Sequence, residues 1–156
     1  SPHGSKAVAK LVAAHNAYLD VSLTSASVTT VQGRSNQFDG DLLQFVQTGF
    51  FRKYIGPTQQ HIDTFTTTVH TEGGLFDEAS VDVALVGTSF SAKSDWNFLG
   101  FLQDALGADV LNFAAEGQGP FAPMHVFLGS STFRNETQKL VIWEIPVRYT
   151  SKEIIQ

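Results

Sequence analysis

The stretch VALVGTSFSAKSDWNFLGFLQDALG, residues 83–107, decides the fold. A short apolar run stopped by a glycine reads as a buried strand, and residues 95–106 read as an amphipathic helix ending at Gly107. Between them Gly87, Thr88 and Ser89 turn the chain sharply. The strand reaches back to include VDVALV, residues 81–86. Downstream, ADVLNFA (108–114) is a second strand, AEGQGP (115–120) a loop, and residues 121 to about 131 a helix. KLVIWEIP (139–146) is a third strand, stopped by Pro146. Strands alternating with helices imply an α/β fold: a parallel sheet covered by helices, with its site beyond the carboxyl ends of the strands.

Upstream the pattern is less regular. Ala7, Val8, Leu11, Val12, Ala14 and Tyr18 recur at helical spacing over residues 5–19, with Pro2 before them, so a first helix is predicted. Residues 21–31, VSLTSASVTTV, favour extended chain, and QGRSN (32–36) reads as a turn. DGDLLQFV (39–46) reads as a short helix capped by Asp39 or Asp41 and ending near Gly49. IDTFTTTVH (62–70) alternates like a strand, and TEGGLFDEAS (71–80) reads as a loop. The first half is therefore a flanking helix followed by a β-rich excursion.

The chain has 156 residues, 42% of them hydrophobic, which suits one compact domain with a real core. No repeat or low-complexity tract offers a place to divide it. A net charge of −5 gives no electrostatic case for nucleic acid or an anionic membrane, because a polyanion needs a basic field. The absence of cysteine excludes disulfides, thiolate metal sites and a cysteine nucleophile, and leaves the compartment open. No apolar run approaches the roughly 20 residues of a membrane-spanning helix. The chain opens Ser-Pro-His-Gly without a charged and then hydrophobic leader, and reads as a soluble piece whose start has been cut away.

Ser89 has two readings. A strand-to-helix corner can push a hydroxyl out of the sheet top while neighbouring amides point at the same spot, as a nucleophile requires. Serine near a helix start also caps it by accepting amide hydrogen bonds, although Ser94 and Asp95 stand closer to the amphipathic run and read as better caps. The pattern is not the Gly-x-Ser-x-Gly elbow, and spacing alone leaves both readings open. A phosphate loop is disfavoured, since Gly87 lacks the rest of a dinucleotide fingerprint and no Gly-Lys-Ser/Thr occurs. The five histidines, His3, His15, His61, His70 and His125, include none with an aspartate two or three residues before it. His15 and His125 fall on predicted helices, where surface or packing roles are usual. His61 and His70 flank Asp63, and nothing local commits either as a base. No His-x-x-x-His pair or acidic calcium-type loop supports a metal site. The 13 phenylalanines are mostly core filling, while Trp96 and Trp143 have the choice of the core or a sugar-binding face.

Taken together, VALVGTSFSAKSDWNFLGFLQDALGADVLNFAAEGQGPFAPM and LVIWEIPVRY closely resemble the alginate O-acetyltransferases, periplasmic members of the SGNH-hydrolase-like superfamily. The resemblance is specific over residues 81–149 and looser upstream, through DLLQFVQTGFF and IGP. It implies one SGNH-like, flavodoxin-like domain over residues 1–156, with a βαβαβ core at 81–149. In that family Gly-Thr-Ser replaces the Gly-Asp-Ser of ordinary SGNH esterases, and its serine carries the acetyl group, which makes Ser89 the nucleophile. The family's base and orienting acid form an Asp-x-His pair before the serine. In relatives it reads Asp-Thr-His-Trp followed by a stretch much like SPHGSKAVAKLVA. The chain is therefore expected to start directly after that histidine and tryptophan, with His3 a flanking residue.

The superfamily's second block places a glycine amide in the oxyanion hole, five residues after an asparagine. Asn112 and Gly117 have that spacing, so Gly117 is the expected donor beside the Ser89 amide. The third block's asparagine is absent. WEIPVR stands there, close to the family's Trp-Glu-Ile-Pro-Glu-Arg with Val147 in place of Glu, which leaves the third donor unassigned and another role open to Glu144 or Arg148. The resemblance implies acetyl transfer to an acidic polysaccharide, alginate, with Lys93, Arg148 and Trp96 as candidate substrate contacts. It also implies an acetyl-donor protein of the export machinery and no metal or organic cofactor. A carbohydrate esterase and a non-catalytic carbohydrate-binding or scaffold protein of the same fold are the alternatives.

Overall fold

Val83, Ala84, Leu85 and Val86 are fully buried, and they form the central strand around which the chain is organised. The computed structural model describes residues 1–38, 60–70, 81–135 and 138–150. In chain order its elements are α1 (Pro2–Leu19), β1 (Ser27–Phe38), β2 (Gln60–His70), β3 (Val83–Val86) and α2 (Ser89–Ala92). A 3-10 turn (Ser94–Trp96), α3 (Phe98–Leu106), β4 (Val110–Asn112) and α4 (Phe121–Gly129) follow. Last come α5 (Ser131–Arg134), β5 (Leu140–Trp143) and a second 3-10 turn (Val147–Tyr149). The helix expected over 39–49 and the loop over 71–80 lie outside the described residues.

The expected parallel sheet is present, in the order β4-β3-β5. Val83 pairs with Val110 on one side and with Leu140 on the other, and Val86 pairs with Trp143. Successive side chains of a strand point to opposite faces, and here both faces are covered. Val83 and Leu85 pack with Ala9 of α1 and with Phe98, Phe101 and Leu102 of α3. Ala84 and Val86 pack with Phe127 of α4 and with Phe113 and Met124. The crossover from β3 to β4 therefore covers one face and the crossover from β4 to β5 the other. The loops leaving β3 and β4 diverge there, which is the switch point where sheets of this kind bind ligands.

The predicted first helix is present but starts three residues earlier than expected: Pro2 stands in its first turn and the Ser1 hydroxyl accepts from Gly4 N at 3.3 Å. Asp82, just before β3, ties three segments together. Its carbonyl accepts from Lys139 N (2.8 Å) and Leu140 N (3.1 Å), and its carboxylate accepts from Thr24 N (2.6 Å) and Lys139 Nζ (3.0 Å).

The β-rich excursion is an antiparallel pair, β1 with β2, running from Ser27 opposite His70 to Phe38 opposite Gln60. The predicted turn at QGRSN is not one: β1 runs straight through it. The pairing steps from Gln32 opposite Phe65 to Ser35 opposite Asp63, so the strand absorbs an extra residue as a bulge. Gly33 makes the bulge possible, since a Cβ there would lie 2.5 Å from Thr64 Oγ1. Phe65 reaches inward from this pair and meets Phe101 edge-on, with ring centroids 5.0 Å apart.

The predicted helices are broken where side chains find other partners. Residues 95–106 divide at Asn97, which adopts a left-handed conformation (φ 45°) while its Nδ2 donates to Thr67 Oγ1 of β2 at 3.0 Å. The helix expected to about residue 131 stops at Gly129, because Ser130 is extended and caps α5 by accepting from Phe133 N at 3.1 Å.

Candidate active site

Ser89 is the first residue of α2, at the carboxyl end of β3, and it is half-buried. It does not cap the helix. Thr88 does, with an extended backbone and a side-chain oxygen that accepts from Phe90 N at 3.4 Å. Ser94 and Asp95, the better caps by sequence, cap nothing: α3 starts at Asn97 without a side-chain cap. Among the described residues the Ser89 hydroxyl has no hydrogen-bond partner.

The corner is held from both neighbouring strands. On the β4 side, Phe113 N donates to Leu85 O at 2.8 Å and Ala115 N to Gly87 O at 3.1 Å. On the β5 side, Glu144 N donates to Val86 O at 2.8 Å, one residue beyond the last pair of the ladder. This places the Glu144 carboxylate under the corner, where one oxygen, Oε2, accepts from Thr88 N (2.7 Å), Thr88 Oγ1 (2.8 Å) and Ser91 Oγ (3.3 Å). Gly87 is required by the same contact. A Cβ there would lie 2.8 Å from both Glu144 Oε2 and Ser91 Oγ.

These bonds account for four amides of the corner and the first turn of α2. Thr88 N–H goes to Glu144, Phe90 N–H to the Thr88 hydroxyl, and the Ser91 and Ala92 N–H groups to Thr88 O at 3.0 and 2.9 Å. From Thr88 to Ala92 the Ser89 N–H is the one with no acceptor within the described residues, so it stays open beside its own hydroxyl. Sequence reasoning left Glu144 without a role. The available signal was an acidic residue at the end of an otherwise apolar strand.

Gly117 stands in the loop after β4, exposed and left-handed (φ 74°), and Gly119, half-buried, is left-handed too (φ 66°). The loop opens on a side-chain turn in which Ala114 N donates to Asn112 Oδ1 at 2.9 Å. Arg148, in the 3-10 turn after β5, is exposed and lies across two rings, 5.7 Å from the Phe90 centroid and 5.1 Å from that of Tyr149. Phe90 directly follows Ser89, so this stacking brings the guanidinium to the corner. Lys93 ends α2, and its backbone N–H donates to Ser89 O at 3.1 Å. Trp96 is not the expected substrate contact: it is 8% exposed and packs edge-on against Phe38 at 5.2 Å, so its indole fills the core. Trp143 is the more open tryptophan, 39% exposed, with Nε1 donating to Pro120 O at 3.0 Å and Phe121 edge-on at 5.9 Å.

The histidines are scattered over α1, β2 and α4, and none is hydrogen-bonded to Ser89. Among the described residues no group of His, Asp and Glu is placed to hold a metal ion, and no helix is long and apolar enough to cross a membrane.

Residues 1–147 match the family described as SGNH hydrolase-like domain, acetyltransferase AlgX. The chain is 38% identical over 157 aligned positions to the probable alginate O-acetylase AlgJ of Azotobacter vinelandii, covering 96% of this chain and 40% of that protein. It is 41% identical over 125 positions to the AlgJ of Pseudomonas putida, covering 77% of this chain and 32% of that one. Among solved structures, the O-acetyltransferase domain of Pseudomonas putida AlgJ superposes with a TM-score of 0.85 at 33% identity, over 99% of this chain and 53% of that chain. Pseudomonas aeruginosa AlgX superposes with a TM-score of 0.74 at 28% identity, over 93% and 35%. The chain thus spans less than half the length of these curated relatives.

Proposed function

Because this chain belongs to the family of SGNH hydrolase-like AlgX acetyltransferase domains, we propose that Ser89 carries an acetyl group from a donor to a hydroxyl of an exported uronate polysaccharide, alginate. The observation that carries the reading is the Ser89 hydroxyl, open at the carboxyl end of the central strand beside its own open N–H.

In the first half-reaction Ser89 Oγ attacks the acetyl carbonyl, its proton passes to the base, and the donor's leaving group departs. An acetyl-serine ester remains. In the second half-reaction a mannuronate hydroxyl attacks that ester, gives its proton to the base, and Ser89 Oγ leaves and regains a proton. The resemblance assigns the base to the histidine of an Asp-x-His pair that precedes the serine in the family's chain order. The oxyanion formed in both halves is received by the Ser89 N–H, with the Gly117 N–H as second donor. Arg148 and Lys93 supply the local positive charge that a uronate carboxylate needs. The acetyl donor is a protein of the export machinery, and the reaction takes place in the periplasm.

The test uses the full-length protein with 4-nitrophenyl acetate as donor and mannuronate oligomers as acceptor. Acetylated oligomers and an acetylated Ser89 peptide are expected by mass spectrometry, and Ser89→Ala should lower the rate about a thousandfold. Transfer that survives Ser89→Ala overturns the reading, and acetate release with no acetylated sugar makes the protein an esterase.

A further inference from the structure

We propose that Glu144 is a positioning residue for Ser89: its carboxylate fixes the Gly87-Thr88-Ser89 corner and thereby decides which amide of the corner stays open. The inference rests on the reading of Ser89 as the nucleophile and adds a residue to it. The corner lies beyond the last ladder pair of β3, so the sheet register alone does not fix it. Instead three donors converge on Glu144 Oε2, two from Thr88 and one from Ser91, and all three come from residues no more than 3% exposed. Buried donors that lose their acceptor must find another, and within the corner that means turning the peptide groups on either side of Ser89.

The choice of amide follows from the same bonds. A corner that leads into a helix presents several N–H groups, and an oxyanion site needs the one beside the nucleophile. Glu144 takes the N–H of Thr88 and holds the Thr88 hydroxyl, which in turn takes the N–H of Phe90. From Thr88 into the helix, the N–H left over is that of Ser89. Gly87 lets the carboxylate come this close, as any Cβ would meet Oε2 at 2.8 Å. Glu144 itself touches Thr88 and Ser91 and acts on the reaction only through them.

The experiment measures kcat and KM of the full-length protein with 4-nitrophenyl acetate, beside Ser89→Ala as the reference for the nucleophile. Glu144→Ala should lower kcat about 30- to 100-fold and leave KM within about threefold, because misplacement of a reacting group by an ångström costs rate rather than substrate binding. Glu144→Gln, whose carbonyl oxygen can accept the same three bonds, should restore kcat to within about fivefold of the parent. Thr88→Val, isosteric but without the hydroxyl donor, should lose about tenfold, and its loss should not add to that of Glu144→Ala. A kcat within threefold of the parent in Glu144→Ala overturns the inference, as do equal losses in the Ala and Gln variants. Unchanged kcat in Thr88→Val overturns it even where Glu144→Ala does not fold. If Ser89→Ala retains activity, the nucleophile reading fails instead, and the two failures are distinct.

Discussion

Asp82 is a buried carboxylate that works entirely for the fold. Burial acts to raise its pKa, but the Thr24 donors and the Lys139 ammonium outweigh that effect, and the net position lies below the ordinary aspartate value. A carboxyl with a lowered folded pKa contributes stability above its unfolded pKa, and that contribution is lost as pH falls through the folded value. Asp82→Asn keeps the shape and removes the charge, so it should cost about 1–2 kcal/mol near neutral pH, the difference between a charge-assisted and a neutral hydrogen bond. The gap to the parent should narrow as pH falls below the ordinary aspartate value and through the lower folded one, where the parent's carboxyl also takes up a proton. Urea unfolding at several pH values checks this, and a pH-independent gap would assign the cost to packing. At Ser89 the sequence stopped at a choice between cap and nucleophile, and it was Thr88 that took the cap. Spacing could not separate them because two adjacent hydroxyls suit the same helix start. Glu144 was illegible for a different reason: its partners Thr88 and Ser91 are more than fifty residues away, brought close only by parallel pairing of β3 with β5.

Among the elements, the three parallel strands and the crossover helices could be read directly, because a buried parallel strand is a short apolar run and nothing else in residues 81–146 competes for that pattern. The breaks within helices could not. Asn97 leaves the helix because Thr67 of β2 receives its side chain, and neither periodicity nor capping rules contain that partner. QGRSN looked like a turn by composition, yet its Gly33 serves a bulge in a strand that continues for several more residues. The joint between the hairpin and the parallel unit is measurable. Phe101 is 2% exposed and meets Phe65 edge-on, so Phe101→Ala should cost about 3–5 kcal/mol in urea unfolding. A double-mutant cycle with Phe65→Ala should show coupling of about 0.5–1.5 kcal/mol. Coupling near zero would mean that the hairpin is held by other contacts, such as the Thr67 and Asn97 bond.

For the whole molecule, the crossovers on opposite faces of the sheet open the loops after β3 and β4 at the switch point, and the turn after β5 stands beside them with Arg148. A net charge of −5 opposes any polyanion at long range, so a uronate polymer must be held by local charge that overcomes the overall field. Arg148 stacks on Phe90 and Tyr149, which fixes the guanidinium at little entropic cost, and Lys93 closes the same short helix that Ser89 opens. If these cations hold the polymer, replacing both with alanine should weaken binding of mannuronate oligomers about tenfold, measured by calorimetry. Binding to the parent should also weaken steadily from low salt to about 0.15 M, where the screening length falls to about 8 Å. The double variant should lose most of that salt dependence, because the charges that salt screens are gone. Unchanged affinity in the variant, together with salt-insensitive binding in the parent, would move the polymer to another face of the molecule or make the acceptor a neutral sugar.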